Sequence, residues 1–211
     1  MALLQLRMPN WCNNDLSVCG KKKDIQEFEE KALDNSKLSM NKLVPLPEAL
    51  KNSRSPQTIV PSKSFEKKFV EAILKGEDKP ITKKISEALI KKYGADDWYR
   101  WQVNNWGTKW DIEGELANTE IYGKKKNMKA LYFTFDSAWS PPSDYIHKLI
   151  EMFPKLEFHL EFNEPGCAFK GEIEGKNGEI VNDYDTEMSP KDFHDLGYCD
   201  EEECKFDHSE R

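Results

Sequence analysis

LEFHLEFN, Leu156 to Asn163, decides the fold: Leu156, Phe158, Leu160 and Phe162 alternate without a break with Glu157, His159, Glu161 and Asn163. A period of two marks an extended chain with one buried and one wet face, because successive side chains of a strand point to opposite sides. A lone strand is not stable, so partners are needed. Downstream, beyond the turn at Glu164–Gly166, the segments Ala168–Glu174 and Glu179–Tyr184 flank Asn177–Gly178, the strongest short hairpin signal. Upstream, Leu131, Phe133 and Phe135 alternate with Tyr132, Thr134 and Asp136, and Ile112–Tyr122 precedes the basic turn Gly123–Asn127, which predicts a second hairpin.

Between these pairs the periodicity changes. Ile146, Leu149, Ile150 and Phe153 fall on one helical face, with Ser140 expected as cap and Pro141 at the first position. The start of that helix is expected to face the tryptophan-rich segments and could hold an anion. Nearer the N-terminus, Met8–Gly20 reads as a strand with Cys12, Asn14, Leu16 and Val18 on one side, and Asp24–Leu33 as an amphipathic helix. The early asparagines fit an edge-strand start or bonds to neighbouring loops, with a ligand contact as the other reading. Leu43–Pro61 carries four prolines and should be an extended connection. Two short helices follow, one on Phe65, Phe69, Ile73 and Leu74, the other on Ile81, Ile85, Leu89 and Tyr93 with Gly94 as its stop, both with lysine-rich, solvated outer faces.

The element order reduces to βαββαβ, which predicts an α+β chain of ferredoxin-like type: an antiparallel sheet with helices on one face, a helical insertion and an added C-terminal hairpin. Residues 1–187 form the expected single domain, with the insertion at about 51–94, and residues 188–211 an acidic tail.

Composition narrows the function. A net charge of −7 argues against electrostatic capture of nucleic acid by the whole surface. No apolar run is long enough for a membrane span, Met1–Leu6 is too short for a signal-peptide core, and five cysteines without a framework fit a reducing compartment. The expected location is the cytosol, away from the membrane. Trp98–Asp111 holds four of the six tryptophans and reads as a loop that binds something or plugs a core; Phe133–Pro142 repeats the theme around Asp136 and Trp139.

These pieces are expected to meet at one edge, with Asn13, Lys109, Asp111 and Asp136 as polar members and Trp106, Trp110 and Trp139 as walls. Lys109 held by two indoles and Asp111 is the structural use of such an edge. A pocket that stacks a ring while Lys109 meets a phosphate is the functional one. Asp111, Asp136 and Glu161 are candidates for a divalent cation, though nothing in their spacing demands it. No nucleophile triad, glycine-rich phosphate loop or HExxH occurs, and no cofactor is expected. In the tail, His194, Cys199, Cys204 and His208 have the residue types of a tetrahedral zinc site but irregular spacing. His147 and His159 read as exposed polar positions.

Four separated motifs carry a resemblance: Met8–Pro9–Asn10–Trp11–Cys12–Asn13–Asn14; Asn105–Trp106–Gly107–Thr108–Lys109–Trp110–Asp111; Ala138–Trp139–Ser140–Pro141–Pro142; and Glu164–Pro165–Gly166 with Phe169 and Gly171. In these the chain resembles the YubB ferredoxin-like domain family of plasmid and bacteriophage accessory proteins. The resemblance implies a ferredoxin-like fold and a mobile-element origin in a bacterial cell, and no activity. The leading expectation is a non-enzymatic accessory protein that engages a host macromolecule, protein or nucleic acid, through the tryptophan edge. The alternative is a nucleotide or single-stranded nucleic-acid binder with metal-dependent phosphodiesterase-type chemistry, and the third a purely structural or oligomer-forming domain.

Overall fold

Six strands form one antiparallel sheet in the computed structural model, which describes residues 10–75 and 79–199. They are β1 (Trp11–Lys21), β2 (Glu115–Tyr122), β3 (Met128–Ala138), β4 (Glu157–Glu164), β5 (Phe169–Lys176) and β6 (Glu179–Glu187). The helices are α1 (Lys22–Ala32), α2 (Met40–Leu43), α3 (Phe65–Lys75), α4 (Lys83–Tyr93), α5 (Trp98–Trp106), α6 (Ser143–Met152) and α7 (Pro190–Asp195). In space the strands run β6-β5-β4-β1-β3-β2. The inner order β4-β1-β3-β2, with α1 and α6 as crossovers, is the ferredoxin-like α+β arrangement that the element order predicts.

Register follows from the alternation. Leu16 lies opposite Phe133 and Leu160, and Val18 opposite Leu131 and Phe158, so each apolar row is continuous over three strands. That face is covered by Ile25, Phe28 and Ala32 of α1 and by Tyr145, Ile146, Leu149 and Ile150 of α6, all buried. The Phe28 ring meets Phe133, Phe153 and Phe158 edge-on at centroid distances of 6.4, 5.3 and 6.0 Å. Each side chain of this size contributes roughly 1.5–3 kcal/mol on burial. The added hairpin turns through Asn177 and Gly178, with φ of 56° and 81°, the left-handed pair that a two-residue I′ turn needs.

Three expectations are corrected. Trp98–Trp106 is a helix and not a loop: Asp97 accepts from the Arg100 amide at 2.8 Å as N-cap, and Gly107, φ 82°, closes the C-terminus. The cap and stop were in the sequence, but the density of tryptophans masks them. Second, α6 starts at Ser143 and Ser140 does not cap it; the Ser140 hydroxyl donates instead to the Gly107 carbonyl at 2.7 Å. The start of α6 is not open to an anion either. A Cβ on Gly107 would lie 2.8 Å from the Ser143 nitrogen, so the end of α5 rests directly on that helix start, whose first turn also carries Asp144. Third, β1 is central and not an edge strand.

The insertion holds α3 and α4, bracketed by a short parallel pairing of Ile59–Val60 with Ile81–Thr82. Thr82 caps α4 and Gly94 ends it in the left-handed conformation, and the paired lysines of both helices are exposed. Met8, Pro9, the acidic run Asp200–Glu203, Cys204 and His208 lie outside the described residues. Among the described residues no helix is long and apolar enough to cross a membrane.

Candidate functional site

One end of the sheet displays indoles. Trp11, Trp110 and Trp139 are 43, 38 and 44% exposed, large values for residues that usually bury their rings. Trp11 and Trp110 approach to 6.2 Å between centroids. The Trp139 amide donates to the Asn10 carbonyl at 3.0 Å, and Trp11 is in register with Ala138, so Trp139 follows directly on the strand beside Trp11. Thr108 donates to the Ala138 carbonyl at 2.8 Å, and the Ser140–Gly107 bond doubles that link, which ties the segment carrying Trp110 to the turn carrying Trp139.

Trp139 sits at φ 74°. A bulky L-residue in the left-handed region carries on the order of 1–3 kcal/mol of strain, held only where the surroundings over-determine it. Those surroundings are a buried polar knot beneath the rim. Asn14, 1% exposed, donates to the Cys12 and Phe135 carbonyls and to Ser137, whose hydroxyl donates in turn to the Ser140 carbonyl at 2.7 Å. Nearby, buried Glu164 accepts from the Gly166 and Cys167 amides at 2.8 and 2.6 Å. Burial pushes the Cys12 thiol up to about 12, which leaves it unreactive. Asn14 thus uses its amide NH2 on backbone and a serine.

The expected edge residues divide. Trp110, Trp139 and Lys109 meet there, with the Lys109 ammonium 4.2 Å from the Trp110 ring. Trp106 is not a wall of that edge: it is 1% exposed, packs against Trp101, and donates its indole N–H to the Val44 carbonyl at 2.9 Å. Asp111 does not hold Lys109. Its carboxylate accepts from the Ser39 hydroxyl and the Met40 and Asn41 amides at 2.8, 2.7 and 3.3 Å, capping α2. Asn13 and Asp136 are joined at 2.6 Å on the open side of the sheet, where the Tyr198 hydroxyl lies between the side-chain oxygens of Asn13 and Asn163 and can donate to either. The cation group of Asp111, Asp136 and Glu161 is not assembled, because Asp111 is spent on α2 and the other two stand in different rows of the sheet.

Trp11 escaped the sequence reading as a rim residue, although it stands in the quoted N-terminal motif. So did the row of open-face residues around His159, which is not simply exposed: its Nε2 lies 3.5, 3.7 and 3.9 Å from Glu172, Glu161 and Glu174. The pairing of β4 with β5 brings them together, and a single strand's alternation carries no record of it. His147 lies 2.9 Å from Asp183 between α6 and β6. In the tail, Cys199 and His194 are 3.6 Å apart.

Residues 118–207 match the family model described as the ferredoxin-like domain in Api92-like protein. The match agrees with the ferredoxin-like fold and does not carry the YubB name that the motifs imply. The crystal structure of Api92 from Yersinia pseudotuberculosis aligns with 86% of this chain and 98% of its own, at 10% identity and a TM-score of 0.41. No match to a curated protein is found.

Proposed function

We propose that the protein is a non-enzymatic binding module, an accessory protein of a phage or plasmid, that engages a macromolecule of its host cell through Trp11, Trp110 and Trp139. The observation that carries this reading is Trp139: a strained backbone holds an indole out in solvent, at the sheet end that also exposes Trp11 and Trp110, on a scaffold of buried hydrogen bonds. Indoles presented in this way are typical anchors of protein interfaces, since one ring removes a large apolar area from water at little loss of side-chain freedom. The mobile-element part rests on the motif resemblance alone. A protein partner is favoured over nucleic acid because the net charge is −7 and, among the described residues, Lys109 is the one cation that the rim holds against a ring.

The test is a double variant, Trp110→Ala with Trp139→Gly, used as bait in host lysate beside the unaltered protein. The contribution of buried Trp101 and Trp106 to near-ultraviolet circular dichroism should be retained while a specific partner is lost. Equal capture by both proteins, or collapse of the double variant, would return the rim to structure. A saturable fluorescence quench by short single-stranded DNA or RNA that disappears in folded Lys109→Ala would instead support the nucleic-acid alternative.

A further inference from the structure

We propose that the open face of the sheet binds one divalent transition-metal ion through His159, Glu161 and Glu172, with Glu174 at the margin. Glu161 on β4 stands directly opposite Asp15 on β1 and Glu172 on β5, so three carboxylates occupy one row across three adjacent strands. Like charges directly opposite in a sheet are destabilising. Among the described residues no lysine or arginine pairs with Asp15, Glu161, Glu172 or Glu174, and Lys170, on the neighbouring strand position, is taken by Asp192. The one cation-capable group is the His159 imidazole, whose Nε2 faces Glu172, Glu161 and Glu174 together. A single ring N–H serves one acceptor at a time, so among the described residues at least two of these three glutamates are left without a cationic partner.

Geometry separates this set from an ordinary acidic surface. One ligand atom from each of His159, Glu161 and Glu172 lies within 4.8 Å of the others. A point no more than about 2.8 Å from all three therefore exists, and glutamate side chains need move by less than about 1 Å to reach metal-bond lengths. All three residues stand on paired strands, which fixes their Cα positions. Glu172 is further oriented by the Asn182 side-chain amide, which donates to its Oε1 and leaves Oε2 towards His159. An imidazole with two or three carboxylates favours Zn²⁺ or Mn²⁺ over Ca²⁺ and Mg²⁺, which take all-oxygen shells. This set shares only Glu161 with the carboxylates singled out in the sequence, and it is distinct from the indole rim.

The experiment is titration of the metal-stripped full chain with ZnCl₂ by calorimetry and with MnCl₂ by electron paramagnetic resonance. One ion per chain is expected, with affinity at least tenfold lower in Glu172→Gln and in His159→Ala and unchanged in Cys199→Ser. Melting temperature should rise with metal in the unaltered protein and not in Glu172→Gln. Absence of saturable binding, binding that survives both open-face variants, or loss confined to Cys199→Ser, which would place the ion at the tail, each overturns the proposal.

Discussion

The two faces of the same strands have opposite fates. On the helix side of β1, β3 and β4, Leu16, Val18, Leu131, Phe133, Phe158 and Leu160 are no more than 2% exposed and interlock with α1 and α6. On the other side, one residue away at every step, Asp15, Ser17, His159 and Glu161 face solvent, one another or Glu172 of β5. The difference teaches where selection for stability ends: the helix face is closed by packing, while the open face and its tryptophan end carry charges and rings that folding alone does not need.

Neighbours on one strand break or sharpen that contrast most sharply. Leu160→Ala should lower unfolding free energy by about 2–5 kcal/mol, since it opens a cavity between helix and sheet, whereas Glu161→Ala should change it by no more than about 0.5 kcal/mol or stabilise the chain. Urea unfolding of both variants checks this, and comparable losses would mean that Glu161 is as firmly packed as Leu160. Next in size, Trp139→Gly should stabilise the fold by about 1 kcal/mol by releasing the left-handed strain, while it removes the exposed ring. A melting temperature that falls would show that the indole packs as core.

The smallest effect concerns the attachment of α7 over the open face. Lys170, then Ser189, hold the Asp192 carboxyl down at about 2, below its ordinary 3.8. A depressed carboxylate stabilises the folded form above its unfolded value, and that contribution is lost as pH falls from about 4 towards 2. The Asp192 carboxyl carbon, followed by NMR, should therefore titrate with a midpoint near 2, with the Ser189 amide shifting in step as the capping box opens. A midpoint at the ordinary value would show that Lys170 and the capping box do not engage it.

Much of the fold was legible. Alternation at Leu156–Asn163 and Leu131–Asp136, the Asn177–Gly178 turn and the helical spacing around Ile146 each reflect a local preference that packing then reinforced. Trp98–Trp106 reads as a loop because its aromatic density obscures Asp97 and Gly107, the residues that start and stop the helix. At the site, Trp110, Trp139 and Lys109 were recognisable as a group from their motifs. Trp106 could not be told from Trp110 by type alone, yet one is core and the other rim, because only helical phase and the neighbouring Val44 carbonyl separate them.

The sequence by itself determined the six strands of the sheet, their order and the buried face of β1, β3 and β4, since periodicity and turn chemistry act over a few residues. Only the tertiary structure decided that Asp111 serves α2, that Trp11 joins the rim, and that Asp15, Glu161 and Glu172 share a row beside His159. Those outcomes depend on strand register and on contacts between residues far apart in the chain, which local pattern does not encode.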